Sequence, residues 1–277
     1  MYAPSALHPP QPDNTVSVEE FYRQLAADYH FIFTDWRKSV LAQSGALDRL
    51  IRQHTSGCGA KGCPVLDCAC GIGTQAIGLA LRGYRVHASD LSPEAVARAQ
   101  VEARRLRTAD DMTFEVADFR ALEEMSAGPF LAVIACDNAL AHMLTLADLE
   151  RALRSMWSKV MPGGVLLVSI RDYDRLLAEK PRATLPTVND DAQGRHISFQ
   201  VWDWADLEPT YRLSHFIVNE TDGGWHTSCA VTALRAWQRA EVDAIAGDLP
   251  ELAQAVWHMP DDSSYYQPVL AACRAAR

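Results

Sequence analysis

The segment Pro64-Val-Leu-Asp-Cys-Ala-Cys-Gly-Ile-Gly-Thr-Gln-Ala-Ile-Gly-Leu-Ala80 decides the fold of this chain. A short apolar run ends at Asp67, a turn of small residues follows, and apolar periodicity predicts a helix over 74–81. Gly71 and Gly73 allow a ligand to approach the backbone closely, and the free N–H groups of the helix start favour a polar or anionic ligand. The segment therefore predicts the first half of a nucleotide-binding βαβ unit.

The second half of this unit follows directly along the chain. Residues 84–89 predict a second strand, and Asp90 stands at its end. An acidic side chain about twenty residues beyond such a turn can accept hydrogen bonds from the hydroxyl groups of a ribose. We therefore expect an adenosyl ligand, and the alternative is a tight turn followed by a solvated aspartate.

Three further apolar runs, at 112–117, 130–136 and 165–170, predict strands of a parallel sheet that is covered on both faces. The segment Met161-Pro-Gly-Gly164 predicts a turn before the last of them. Polar residues stand at the end of each predicted strand, namely Asp67, Asp90, Asp118, Asp137 with Asn138, and Arg171. Because ligands of open parallel sheets bind beyond the carboxyl ends of the strands, we predict that these residues surround one site.

The region before the first strand divides into two parts. Residues 1–17 contain several prolines and are expected to be flexible. Residues 18–57 are expected to form helices, with apolar and aromatic residues at helical spacing from 18 to 33 and a second helix from 38 to 54. Its aromatic side chains are either part of the core or a lid over a bound cofactor.

The region after residue 172 changes character. Alternating segments near 195–231 predict a small antiparallel insertion, within a substrate-side region at 173–231. A helix near 233–245 and strands near 252–258 and 265–273 should complete the domain. We expect an α/β fold, namely a Rossmann-like, mostly parallel seven-stranded sheet with helices on both faces, in one domain at 18–277.

Composition narrows the possible partners and location. The formal net charge of −9 argues against a nucleic-acid backbone as partner, and no apolar run is long enough to span a membrane. With no charged and apolar signal segment at its start, the chain is expected to be cytoplasmic. The seven cysteines are therefore expected to be free thiols, and the spacing of the four at 58–70 predicts no metal site. A homo-oligomer is compatible with the sequence.

The order of these elements resembles the class I S-adenosylmethionine-dependent methyltransferases over about residues 20–275. The first motif of that family is an acid followed by glycines at alternate positions, which here is Asp67-Cys-Ala-Cys-Gly-Ile-Gly73. Asp90 matches the acid that holds the ribose, Ala117-Asp-Phe119 matches the segment beside the adenine, and residues 161–164 match the turn before the fifth strand. The resemblance implies S-adenosylmethionine as cofactor. The implied cofactor-binding residues are Tyr22, Tyr29, Trp36, Asp67, Ala69, Gly71, Gly73, Asp90, Leu91, Asp118, Phe119 and Cys136.

A narrower resemblance is to the glycine and sarcosine N-methyltransferases. They share the form Asp-x-Ala-Cys-Gly-x-Gly of the first motif, and Asn138-Ala-Leu-Ala-His142 and Arg171-Asp-Tyr-Asp174 are similar to their fourth and fifth strand ends. In that family the arginine binds the substrate carboxylate and the asparagine lies near the reacting amine. The resemblance implies a small amino-acid-like acceptor, with Asn138, His142 and Arg171 as the catalytic residues.

Several alternatives remain open from the sequence. A thiol, a hydroxyl group or a natural product could be the acceptor. A nicotinamide-dependent oxidoreductase fits Gly71-x-Gly73-x-x-Ala76 and Asp90, and a cofactor sensor would need no acceptor. Arg171 could form a structural ion pair and Asn138 could cap a turn, whereas His142 could accept a proton or order its loop.

Overall fold

The computed structural model describes residues 17–25, 28–55, 62–191 and 194–276. Nearly all of the segment predicted to be flexible, and also Cys58, lie outside the described residues. The strands are β1 (Pro64–Asp67), β2 (Arg85–Asp90), β3 (Met112–Val116), β4 (Phe130–Ala135), β5 (Val160–Ser169), β6 (Thr187–Asp191), β7 (Gly194–Trp204), β8 (Thr210–Thr221), β9 (Gly224–Arg235), β10 (Leu252–His258) and β11 (Val269–Arg274). The α-helices are α1 (Val18–Leu25), α2 (Trp36–His54), α3 (Thr74–Leu81), α4 (Pro93–Arg105), α5 (Leu146–Ser158), α6 (Tyr173–Glu179), α7 (Arg239–Ala246) and α8 (Pro260–Ser263).

Seven strands form the first sheet in the order β10-β11-β5-β4-β1-β2-β3, which confirms the predicted fold class. The five strands β1 to β5 are parallel, whereas β11 runs antiparallel to both of its neighbours. β1 lies between β4 and β2, so the connection reverses direction at β1. A ligand crevice opens at such a switch point, beyond the carboxyl ends of the strands.

The central strands of this sheet are buried on both faces, and successive side chains of each strand point to opposite sides. On β4, Ala132 and Ile134 pack in one hydrophobic cluster with residues of α2, α3 and α4. Val133 and Ala135, the alternate residues, pack in a second cluster with residues of α5, α7 and the other sheet. None of the helices in the described ranges is long and apolar enough to cross a membrane.

The second sheet is an antiparallel meander in the order β6-β7-β8-β9. It is larger than the insertion predicted near 195–231, since it spans Thr187 to Arg235 and has four strands. Asp222 and Gly223 form the two-residue turn between β8 and β9. The side chain of Asn189 on β6 donates to the carbonyl oxygens of Phe31 and Phe33, at 2.9 and 2.8 Å, so this sheet contacts the N-terminal region.

Three local predictions were wrong. Residues 161–164 belong to β5 rather than to a separate turn, because an irregularity in the β4–β5 pairing absorbs the glycines. Residues 233–235 continue β9, and α7 begins only at Arg239, after a capping box made by Gln238 and Glu241. The apolar periodicity at 18–33 is divided between α1 and a separate 3-10 turn at Tyr29–Ile32.

Candidate active site

The turn between β1 and α3 forms one wall of a cleft. Gly71 has φ +50 and lines the cleft, and a Cβ placed on it would meet no atom within 4 Å. Gly73 has φ +93, and its Cβ would lie 2.8 Å from Ile77 Cδ1 and 3.3 Å from the Cβ of Ala99. The first glycine therefore leaves room for a ligand, whereas the second permits close packing of α3 against α4.

Asp90 fastens this turn to the end of β2. Its carboxylate accepts hydrogen bonds from the backbone N–H groups of Gly71 and Ser92, at 2.8 and 3.0 Å. Burial raises the pKa of Asp90, and these hydrogen bonds oppose that effect. Each carboxylate oxygen keeps lone pairs for a further donor, and Asp90 lines the cleft.

Asp67 lies behind the same turn and is almost fully buried. Its Oδ1 is 3.4 Å from the backbone nitrogen of Ala69, and its Oδ2 has no hydrogen-bond partner among the described residues. Burial raises the pKa of Asp67 to about 8, and the charges of Asp90 and Asp137 add to this effect. A cationic group nearby would lower that pKa and favour the ionised form.

Asp118 follows β3 at the far end of the cleft, beside Phe119. Its carboxylate accepts from Arg120 Nη2 at 2.6 Å and from the Arg120 backbone N–H at 2.8 Å. Partial burial alone would raise the pKa of Asp118, but the bonds from Arg120 outweigh it and lower that pKa. The pair thus brings little net charge to this end of the cleft.

A larger cavity of about 670 Å³ lies beyond the ends of β4 and β5. The N-terminal segment and one face of the second sheet supply much of its wall. Among the described residues, four line both this cavity and the cleft: Tyr22, Tyr29, Asp137 and His142. The two spaces therefore meet at this junction.

Arg171 follows β5 and lines the larger cavity. It donates to Tyr211 Oη at 2.9 Å and to Gln200 Oε1 at 3.1 Å, and its guanidinium carbon lies 4.6 Å from the centre of the Trp202 ring. These partners are all neutral, and no carboxylate of the described residues lies within 4.0 Å of the guanidinium nitrogens. A partly buried cation held in this way is prepared for an anionic ligand.

His142 and Asn138 lie near the junction. His142 Nε2 is 3.2 Å from Tyr22 Oη, and its buried Nδ1 has no hydrogen-bond partner in the part of the chain that the structure describes. Burial and the charge of Arg171 lower the pKa of His142 to about 4, so the ring is neutral at pH 7. Asn138 Oδ1 accepts the backbone N–H of Arg171 at 3.1 Å, which ties the end of β4 to the end of β5.

The second sheet contributes a polar network to the roof of the cavity. His215 Nε2 is 2.8 Å from Ser198 Oγ, and its Nδ1 is 3.4 Å from Gln200 Nε2. Burial, with a smaller effect of Arg171, lowers the pKa of His215 to about 4. Ser198 and Gln200 are two residues apart on β7, so their side chains lie on the same face of the sheet.

Comparison with known proteins identifies the domain. Residues 65–164 match the family described as "Methyltransferase domain". A glycine/sarcosine N-methyltransferase from Parasynechococcus marenigrum is 35% identical over 147 residues, which are 52% of this chain and 48% of that protein. A glycine N-methyltransferase from Mus musculus is 33% identical over 153 residues, 52% of this chain and 50% of that protein.

The fold agrees with these matches. The solved structure of an S-adenosylmethionine-bound amino pentose methyltransferase from Micromonospora echinaspora gives a TM-score of 0.67 at 17% identity. The match covers 90% of this chain and 95% of that one. Residues 65–164 belong to a methyltransferase domain, and the fold is that of the class I S-adenosylmethionine-dependent methyltransferases. It spans about half the length of the curated relatives it matches.

The residues of this methyltransferase domain fit S-adenosylmethionine, the cofactor of its family. The cofactor carries a sulfonium and an ammonium group. The charged residues that line the cleft are Asp90, Asp118, Asp137 and Arg120, and Arg120 is bonded to Asp118. This excess of carboxylates favours a cationic ligand over the anionic pyrophosphate of a nicotinamide dinucleotide, so the oxidoreductase alternative is disfavoured.

The structure places most of the predicted cofactor-binding residues of the methyltransferase domain in the wall of the cleft. They are Tyr22, Tyr29, Ala69, Gly71, Asp90, Leu91, Asp118, Phe119 and Cys136. Trp36, Asp67 and Gly73 do not line it. Trp36 Nε1 donates to Thr74 Oγ1 at 2.9 Å, so it could act only through the start of α3.

The predicted acceptor residues Asn138, His142 and Arg171 all line the larger cavity of the methyltransferase domain. The sequence predicted Asp137 only as one of the polar strand ends around the site, and it indicated no role for Gln200, Tyr211 or His215. The other three lie on β7 and β8, where alternation indicates a shared face but not what that face covers.

Proposed function

We propose that this protein transfers the methyl group of S-adenosylmethionine to the amine of a small acceptor that also carries a carboxylate. The observation that carries the proposal is Arg171, a cation on the cavity wall that is bonded to neutral groups alone among the described residues. Its planar fork keeps N–H groups for two parallel bonds to a carboxylate. A carboxylate held there would bring an α-amine toward Asn138 at the end of β4.

An amine suits the junction better than a hydroxyl group does. The cofactor supplies an already activated methyl group, so the main task of the protein is to hold a neutral nucleophile in line with it. His142 and His215, with pKa values lowered to about 4, are weak bases. A hydroxyl acceptor would need a strong base, whereas an amine already carries a lone pair once it is neutral.

The names of the relatives favour the same reaction and suggest its smallest acceptors, glycine and sarcosine. The cavity volume of about 670 Å³ favours a second, larger class, because a cavity of this size accommodates drug-sized ligands. Glycine would fill only a small part of it. An amino acid with a bulky side chain, or an amine of a sugar or another natural product, would use the aromatic walls.

The N-terminal region and the second sheet have a place in this proposal as walls of the acceptor space. Tyr22 and Tyr29 lie between the two spaces, and α1 contacts β9. Together they would keep water from the reacting atoms. The domain limits predicted from the sequence, 18–57 for the helical lid and 173–231 for the substrate-side region, remain proposals in this sense.

A panel assay tests the proposed function. The purified protein is incubated with S-adenosylmethionine and, separately, with glycine, sarcosine, phenylalanine, tyramine, glucosamine and a simple thiol. Methylated products are then measured by mass spectrometry. We expect methylation of at least one amine that has a carboxylate, and none of the thiol. Methylation of tyramine or glucosamine alone would exclude the carboxylate requirement and support the sugar or natural-product class.

Arg171→Lys is the matched variant for this assay. It keeps the positive charge and loses the bidentate fork, so turnover of the carboxylate-bearing amine should fall strongly while donor affinity measured by calorimetry stays nearly unchanged. Arg212→Lys is the control, because Arg212 pairs with Asp203 on the exposed part of the second sheet. Equal turnover in Arg171→Lys and the parent would make Arg171 structural and remove the reason for a carboxylate.

A further inference from the structure

We propose that Asp137 is the residue that binds the acceptor amine and takes up its proton before methyl transfer. The inference rests on the proposed function, and it names a role that neither the sequence motifs nor the relatives assign. The acceptor would then be held at two points, its carboxylate by Arg171 and its amine by Asp137.

Asp137 lies where the cofactor cleft and the larger cavity meet. Among the described residues, it supplies the only carboxylate that lines both the cofactor cleft and the larger cavity. The methyl group must cross between these two spaces. A nucleophile that receives it therefore has to lie within reach of the junction where Asp137 stands.

The backbone at Asp137 is held in place by its neighbours. Asp137 and Asn138 both have positive φ, +63 and +71, directly after β4. Consecutive left-handed residues other than glycine cost energy and persist at functional sites. The backbone N–H of Asp137 donates to Ser169 Oγ at 2.8 Å, and Ser169 Oγ in turn donates to Gln267 Oε1 at 2.9 Å. The position is thus fixed by Ser169 at the end of β5 and by Gln267 just before β11.

The charges on the wall of the larger cavity fit those of an amino acid. Asp137 and Arg171 face the same cavity with opposite charges, yet no ion pair joins them among the described residues. An amino acid at neutral pH carries one negative charge on its carboxylate and one positive charge on its ammonium group. Its carboxylate would therefore complement Arg171, and its ammonium group would complement Asp137.

The surroundings of Asp137 also suit proton uptake. Burial raises its pKa to about 6, while Arg171 and a hydrogen bond from Gln75 lower it. The other ionisable groups that face it belong to the N-terminal segment, the strand ends and the segment before β11; they are Tyr22, Tyr29, Asp67, Cys136 and Tyr265. His142 is the competing base at the junction, but its pKa of about 4 and its contact with Tyr22 make it weaker.

The proton step is balanced within the acceptor and this side chain. An N–H bond of the ammonium group breaks and leaves its electron pair on nitrogen, while an O–H bond forms on Asp137. The nitrogen lone pair is then available to the methyl group. The proton leaves to water through the larger cavity after the product departs.

Asp137→Asn tests this role without changing the shape of the side chain. Asparagine adopts positive φ readily, so the backbone should persist. The probe is the best carboxylate-bearing amine of the panel, glycine, sarcosine or phenylalanine. We expect KM for this amine to rise roughly ten- to hundredfold, the scale of a lost hydrogen bond to a charged group, while the Kd of S-adenosylmethionine changes little.

The pH profile separates proton uptake from mere packing. In the parent, kcat/KM should fall below about pH 6, where Asp137 becomes protonated. In Asp137→Asn this fall should disappear, and activity should rise with pH until the free amine predominates. Asp203→Asn, an exposed aspartate of β7, is the control and should retain the parent profile.

The outcomes are distinct. An unchanged KM and pH profile in Asp137→Asn overturns the role of Asp137 and leaves the proposed function standing. A loss of donor affinity with unchanged amine KM also overturns it, because Asp137 would then serve the cofactor. If the parent binds S-adenosylmethionine but methylates no amine of the panel, the proposed function itself fails, and this inference fails with it.

Discussion

At the scale of single residues, the two glycines of the first motif are needed for different physical reasons. Gly71 faces open space in the wall of the cleft, and Gly73 is pressed against Ile77 and Ala99. The φ of Gly71, +50, lies within the left-handed region that other residues occasionally adopt, whereas +93 at Gly73 lies beyond it. Substitutions at the two positions should therefore separate ligand binding from folding.

Gly71→Ala should lower the affinity for S-adenosylmethionine at a small cost in stability. The new methyl group would occupy space inside the cleft, while the left-handed backbone costs about 1–2 kcal/mol. Gly73→Ala should lower the free energy of unfolding more, since its Cβ also meets the Cβ of Ala99 at 3.3 Å. Calorimetric titration and denaturant unfolding of both variants give the comparison. Equal loss of donor affinity in both variants, at equal stability, would contradict this division.

At the scale of elements, the second sheet buries polar side chains beside the apolar residues that it adds to the core. His215 is 4% exposed and is bonded to Ser198 on the neighbouring strand. Its pKa is lowered to about 4 by burial, so the folded protein keeps this ring neutral. The unfolded chain takes up a proton on the same residue near pH 6.5. The sheet is therefore expected to lose stability in acid.

His215→Gln tests this linkage. Between about pH 6.5 and 4 the unfolded parent binds a proton that the folded parent does not, so the stability contributed by His215 falls as the pH falls. The free energy of unfolding of the parent should drop relative to the variant by roughly 1.4 kcal/mol per pH unit. Urea titrations at pH 7, 6 and 5 measure the free energy of unfolding of both proteins. The effects of the other titrating groups cancel in the difference between parent and variant. His226→Gln, an exposed histidine of β9, is the control, and a parallel pH dependence of all three proteins would refute the argument.

At the scale of the whole molecule, the acceptor cavity exists because two sheets meet. Arg171 follows the first sheet, and its partners Tyr211 and Gln200 belong to the second. Tyr211 Oη also lies 2.8 Å from Tyr173 Oη at the start of α6. These buried hydroxyl groups hold the guanidinium at the wall of the cavity, and they connect the first sheet to the second.

Tyr211→Phe should weaken acceptor binding and leave donor binding intact. The variant leaves an N–H of Arg171 without an acceptor, which should lower the free energy of unfolding by about 1–3 kcal/mol and raise KM for the amine. Tyr84→Phe is the matched control, because Tyr84 is equally buried but donates to Asp48 on the far side of the sheet. A rise in KM of the same size in both variants would show that the effect comes from stability alone.

The sequence by itself determined the first sheet and the cofactor side of the site. Local spacing is enough to predict these residues, because a polar residue directly follows each short apolar strand. Parallel strands then bring their carboxyl ends to one edge of the sheet. Asp90, Asp118 and Arg171 could be placed in this way. The same local reasoning misjudged residues 161–164, since a β-bulge and a turn use the same glycines.

Only the tertiary structure decided the acceptor side. Whether Gln200, Tyr211 and His215 face Arg171 depends on how the second sheet lies over the first, and alternation along a strand cannot reveal that. The junction at Asp137 likewise joins the ends of β1, β2 and β4 with the N-terminal segment, which are far apart in the chain. The volume of the cavity, and with it the size of the acceptor, follows from these long-range contacts rather than from any motif.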